Sequence, residues 1–109
     1  MEKTFYPGLQ EQVYRQVLPN GLTVVVVPRT GFTRKIAYFV TDFGAIHTDF
    51  TVDGQAHSAP AGVAHYLEHK LFDMPDRDVT AEFAALGANP NAFTSYDMTA
   101  YYLDRKSVV

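Results

Sequence analysis

The spacing of apolar and polar positions along the chain predicts a sequence of strands interrupted by two helices. Residues 12–18 (QVYRQVL) alternate without a clean apolar face, because Arg15 shares a side with Val13 and Val17, which predicts a strand at or near a sheet edge. Pro19-Asn20-Gly21 is a tight-turn signal, and the β-branched run at residues 22–27 (LTVVVV), closed by Pro28, predicts a buried central strand paired with the first as a hairpin. Residues 29–34 form a basic, Gly-containing loop, and residues 35–43 (KIAYFVTDF) alternate as a third strand that Gly44 ends or bulges. Residues 45–59 are polar and show no sustained period, which predicts a loop with at most a short strand piece.

Beyond that loop the period changes. Residues 60–72 (PAGVAHYLEHKLF) follow helical spacing, with Ser58 as candidate N-cap and Pro60 tolerated in the first turn. Met74-Pro75 breaks the helix, Asp78 can cap a second one over residues 79–86, and Gly87 stops it. A turn at Asn89-Pro90-Asn91 leads to strands at residues 92–96 and 98–103, joined around residues 95–97. The order β-β-β-α-α-β-β predicts an α+β fold, a largely antiparallel sheet with helices packed on one face.

The motif helix also carries chemistry. At about 100° per residue, His65, Glu68, His69 and Phe72 share one side, with Val63, Leu67 and Leu71 roughly opposite, so one face is expected to pack while the other presents two imidazoles and a carboxylate. Two histidines at i and i+4 stand about 6 Å apart at Cβ, from which their ring nitrogens can converge on one divalent cation, zinc by default. Glu68, one turn from His65 and adjacent to His69, suits a general base acting on a water that such a cation acidifies. The order of letters, H-x-x-E-H, is the inverzincin signature.

Composition narrows the chemistry further. The 109 residues are 47% hydrophobic and 14% aromatic, enough for a core. A net charge of -3 with scattered basic residues gives no footprint for nucleic acid. There is no cysteine, so disulfides and thiolate ligands are excluded and a metal site must use His and carboxylates. The absence of cysteine fits a cytoplasmic setting, and neither a signal peptide nor a membrane span is visible. His47 and His57 lie in the polar loop without helical partner spacing and are expected to be silent.

Taken together, LPNGLTVVVVP, the strand ending in FGAI, GVAHYLEHKLF, the helix ending in LGA and NAFTSYDMTAYYL resemble the insulinase/pitrilysin family of zinc metallopeptidases. Within it the chain looks most like bacterial cytoplasmic members with an extended loop before the motif helix. The resemblance implies zinc-dependent peptide hydrolysis, with His65 and His69 as zinc ligands, Glu68 as the base that activates water, and the strand beginning at Asn91 and Ala92 as the edge to which a peptide substrate adds. It also implies a third ligand, a glutamate on a later helix, farther along than the 40 residues that follow His69. Asp73, Asp76 and Glu82 sit in the wrong part of the family's pattern to replace it. The chain is therefore expected to be the N-terminal part of a single metallopeptidase catalytic domain, inactive alone. Self-association of the fragment, or pairing with a homologous subunit, is a further expectation. The alternative is a non-catalytic peptide-binding or assembly subunit of the same fold.

Overall fold

The computed structural model describes residues 1–106. These form two compact units, Met1–Phe32 and the remainder from Thr33. In the first, β1 (Glu2–Tyr6), β2 (Glu11–Val17) and β3 (Thr23–Val26) make an antiparallel meander in that order. The expected β2–β3 hairpin is present: Leu18 N–H donates to the Leu22 carbonyl at 2.8 Å, and Leu22 N–H to Asn20 Oδ1 at 3.1 Å. Centre and edge are exchanged relative to the sequence reading. The N-terminal residues form β1 on the far side of β2, which makes β2 central and leaves β3 on the edge, with Val25 and Val26 exposed. A turn at Pro7-Gly8 returns β1 to β2, with Leu9 N–H donating to the Tyr6 carbonyl at 3.1 Å.

The second unit contains β4 (Arg34–Thr41), β5 (Asp49–Val52), β6 (Gln55–Ser58), α1 (Val63–Phe72), β7 (Asp73–Met74), β8 (Arg77–Asp78), α2 (Val79–Ala85), β9 (Ala88–Thr94) and β10 (Thr99–Lys106). Its principal sheet is antiparallel with order β4-β10-β9. Both helices lie on one face of it: α1 rests against β9 and β10 and α2 against β9, while Phe72 and Phe83 line an apolar groove together with Ala37, Tyr101 and Leu103. The architecture is α+β, as the order of elements predicts.

Three local expectations are corrected. Residues expected to form a polar loop include the β5–β6 hairpin, turned at Asp53-Gly54 with φ 50° and 79°, the pair of positive angles that a two-residue Asp-Gly turn takes. Asn89, Pro90 and Asn91, read as a turn, are part of β9. Proline is tolerated there because, among the described residues, β9 pairs only with β10 and is an edge strand, where a missing N–H disrupts no second ladder. Ser58 does not cap α1, since it is paired with Asp49 at the end of β6. The N-cap is Gly62 at φ 94°, a left-handed conformation that L side chains rarely adopt, and no side chain bonds the first turn. At the second helix the reading holds: the Asp78 carboxylate accepts from Ala81 N–H at 2.9 Å.

Gly44 anchors the segment after β4 to the turn between β9 and β10. Ala45 N–H donates to the Ser95 carbonyl at 3.0 Å and Ile46 N–H to that of Tyr96 at 2.9 Å. The Thr99 hydroxyl, on a buried residue, donates to the Phe43 carbonyl at 2.8 Å. These bonds fix the end of β9 and the start of β10, where α1 comes down on the sheet.

Candidate metal centre

Helix α1 packs by a different side from the one its apolar content indicates. Ala64 is buried and Glu68 and Phe72 are half-buried, a stripe at i, i+4 and i+8, whereas Leu67 and Leu71 are 46% and 51% exposed. The expected packing of Leu67 and Leu71 is thus corrected, while Val63, on the same expected face, is half-buried. The side of a helix that packs is the one its tertiary neighbour covers, and here small Ala64 permits close approach while Phe72 meets the Tyr101 ring at 6.1 Å between centroids. Glu68 is carried inward by this rotation and the two histidines flank it on the exposed side.

His65 and His69 are brought together as their spacing predicts. Their rings stack with centroids 4.8 Å apart at 20°, and the two Nε2 atoms stand 2.9 Å from each other. Two nitrogens on one tetrahedral zinc, each about 2.0–2.1 Å from the ion, would be separated by about 3.3 Å. A few tenths of an ångström of side-chain rotation covers the difference, so this donor pair fits two positions of a zinc site. Among the described residues no group of three His, Cys, Asp or Glu side chains converges to hold a metal ion. Asp73, Asp76 and Glu82 therefore do not complete the pair, and Asp73 is instead bonded to Lys70 Nζ at 3.0 Å, which raises the pKa of that lysine.

Glu68 does not join the histidines as a third donor either. Its Oε2 accepts a hydrogen bond from the Thr94 hydroxyl at 2.6 Å, across from α1 to the end of β9. Tyr101 lies in the same region, and its phenol is held above its ordinary pKa first by burial and then by the negative charge of Glu68. Spacing along the sequence gives Thr94 and Tyr101 no role at this helix. The Asn-Ala-x-Thr string was visible, but the helix-to-strand approach that gives its threonine a partner 26 residues away is a tertiary fact.

Asn91 and Ala92 sit on β9, whose outer edge has no partner strand among the described residues. The Ala92 N–H is covered by its neighbour's side chain, donating to Asn91 Oδ1 at 2.8 Å. His47 is separate from this site: its Nδ1 accepts from Gly44 N–H at 2.9 Å and its ring stacks on Phe43 at 5.6 Å. His57 stacks on Phe50 at 5.8 Å.

The family model described as Insulinase (Peptidase family M16) matches residues 54–107, which include α1 and β9. The chain belongs to the insulinase family. Among its relatives, the uncharacterized zinc protease YmfH of Bacillus subtilis is 43% identical over 106 residues, covering 95% of this chain and 25% of YmfH. The uncharacterized zinc protease YmxG of the same organism is 36% identical over 55 residues, 45% of this chain and 13% of YmxG. The crystal structure of an M16-like peptidase from Alicyclobacillus acidocaldarius matches with a TM-score of 0.82 at 40% identity, over 95% of this chain and 24% of that one. The chain thus spans about a quarter of the length of YmfH and of the solved M16-like peptidase. No helix among the described residues is long and apolar enough to cross a membrane.

Proposed function

We propose that the protein carrying this chain is a zinc-dependent peptidase, that His65 and His69 supply two of its metal ligands, and that Glu68 is its general base. The observation that carries the reading is the convergence of the two Nε2 atoms at 2.9 Å on the helix that also turns Glu68 towards the sheet. Membership of the insulinase family and the zinc-protease names of two relatives point the same way. When bound, zinc supplies a Lewis acid that polarises a carbonyl and acidifies water.

The residues of this chain do the rest of their share through position. Glu68 takes a proton from the water whose oxygen bonds to the scissile carbon, and returns it to the nitrogen that leaves when the C–N bond breaks. Its half-buried carboxylate, fixed by one oxygen, keeps the second oxygen without a protein partner among the described residues. Edge strand β9 offers the substrate a ladder of main-chain groups, and release of the Ala92 N–H from Asn91 Oδ1 frees one donor for an incoming peptide. The third ligand comes from outside residues 1–106.

The test is Glu68→Gln in the full-length protein. The substitution keeps size and hydrogen bonding but removes the base, so peptide hydrolysis is expected to be lost with zinc content retained. Full hydrolysis by the variant, or a wild-type protein with intact zinc and no hydrolysis of any peptide, would overturn the reading, the second outcome in favour of a peptide-binding or assembly role.

A further inference from the structure

We infer that Thr94 is a positioning residue for Glu68, and that its hydroxyl couples the proposed base to the strand along which a peptide would lie. The inference rests on the proposed role of Glu68. Its structural content is the hydrogen bond of 2.6 Å from Thr94 Oγ1 to Glu68 Oε2. That length lies in the range of O–H···O⁻ bonds to an ionised acceptor, about 2.5–2.7 Å and roughly twice the strength of a neutral pair.

Both ends of the bond are held. Thr94 is the last residue of β9, opposite Thr99, and the next residue closes the hairpin, with Ser95 N–H donating to the Met98 carbonyl at 2.8 Å. Thr99 is in turn fastened to the Phe43 carbonyl at 2.8 Å. A β-branched residue on such a backbone has few χ1 choices, so the hydroxyl is presented in one direction. Glu68, by contrast, has three side-chain torsions and one flank on the exposed side of α1, beside His69. Without the Thr94 hydroxyl its carboxylate is free to turn towards any cation held by the two imidazoles and to bind it directly. The bond prevents that by engaging Oε2, and leaves Oε1 for proton transfer.

The same bond places the base relative to β9. Ala92, two residues before Thr94 on this edge strand, is the position whose N–H is masked by Asn91. A peptide added beside Ala92 would therefore be in register with the strand that also holds Glu68. The Thr94 hydroxyl bonds to Glu68 and not to His65 or His69, and its effect is expected on turnover rather than on zinc.

The experiment compares Thr94→Val with Thr94→Ser and Glu68→Gln. In the full-length protein, Thr94→Val is expected to lower kcat about tenfold to a hundredfold, with KM and zinc content unchanged, and Thr94→Ser to recover most of the loss. A kcat unaltered by Thr94→Val, a serine variant as impaired as the valine one, or loss of zinc together with activity would each overturn the inference. Retained hydrolysis in Glu68→Gln would instead overturn the reading on which it rests. In the 109-residue chain, without any turnover, the ¹³C resonance of the Glu68 carboxyl carbon is expected to move in Thr94→Val and return in Thr94→Ser. Should the valine variant not fold, wild type decides: a Thr94 hydroxyl proton that exchanges slowly and shows contact to the Glu68 side chain supports the bond, and its absence overturns it.

Discussion

Gly44 has no room for a side chain because the backbone of Met98 occupies the place where its Cβ would go. The Asp97 carbonyl carbon and the Ser95 carbonyl oxygen, at 2.6 and 2.7 Å, would also meet that atom. All three neighbours are main-chain atoms of the turn between β9 and β10, so none can rotate aside. The glycine is required by close approach and not by a positive φ.

Gly44→Ala is accordingly expected to destabilise the second unit by about 1–3 kcal/mol, the usual range for overpacking. Thermal unfolding followed by circular dichroism would show a midpoint lowered by several degrees. A midpoint equal to that of wild type would mean that the turn does not lie against residue 44.

The orientation of α1 makes opposite predictions for two of its residues. Leu67, 46% exposed, is expected to accept Gln with a change within about 0.5 kcal/mol. Ala64, 2% exposed, is expected to reject Leu at a cost of about 1–3 kcal/mol, because the side chain is already enclosed and the added carbons have to displace its neighbours. Urea unfolding of both variants measures this, and the reverse ranking would restore the helix face that its apolar residues alone predict.

Tyr101 gives the second unit a weakness at alkaline pH. Burial, and secondarily the charge of Glu68, raise its pKa above the ordinary 10.0 in the folded chain. The unfolded chain therefore loses this proton first, and stability that is complete below about pH 10 declines as pH rises through the folded value. Lys70, raised above 10.5 by its bond to Asp73, acts in the same direction on an exposed side chain, where solvent weakens the effect. The fall in unfolding midpoint above pH 10 is expected to be shallower in Tyr101→Phe than in wild type, and an identical slope would contradict the assignment.

What was legible in the sequence follows from which forces are local. The i, i+4 histidines meet because a helix obliges them to, and Asp78 caps α2 because its carboxylate reaches an N–H three residues on. The β5–β6 hairpin was not read, although Asp53-Gly54 is a residue pair that suits a two-residue turn, because the apolar pattern of its two four-residue strands is too brief to show a period. The centre and edge of the first sheet were not, because continuous valines describe a strand's propensity and not its neighbours; β1 decides the matter from outside that run. Pro90 read as a turn residue because proline forbids a second ladder, and only strand order shows that none is needed. The Thr94–Glu68 bond joins two elements across the fold, and spacing along the chain carries no trace of it.

In the proposed function His65 and His69 act together as metal ligands. The most direct measurement is ¹⁵N spectroscopy of the histidine side chains in the 109-residue chain, titrated with zinc after metal stripping. The Nε2 resonances of His65 and His69 are expected to move together, and the one that remains in His65→Ala or His69→Ala not to respond, while His47 and His57 stay in place. Zinc that leaves the Nε2 resonances of His65 and His69 unmoved, or that shifts His47 and His57 in their stead, would contradict the account.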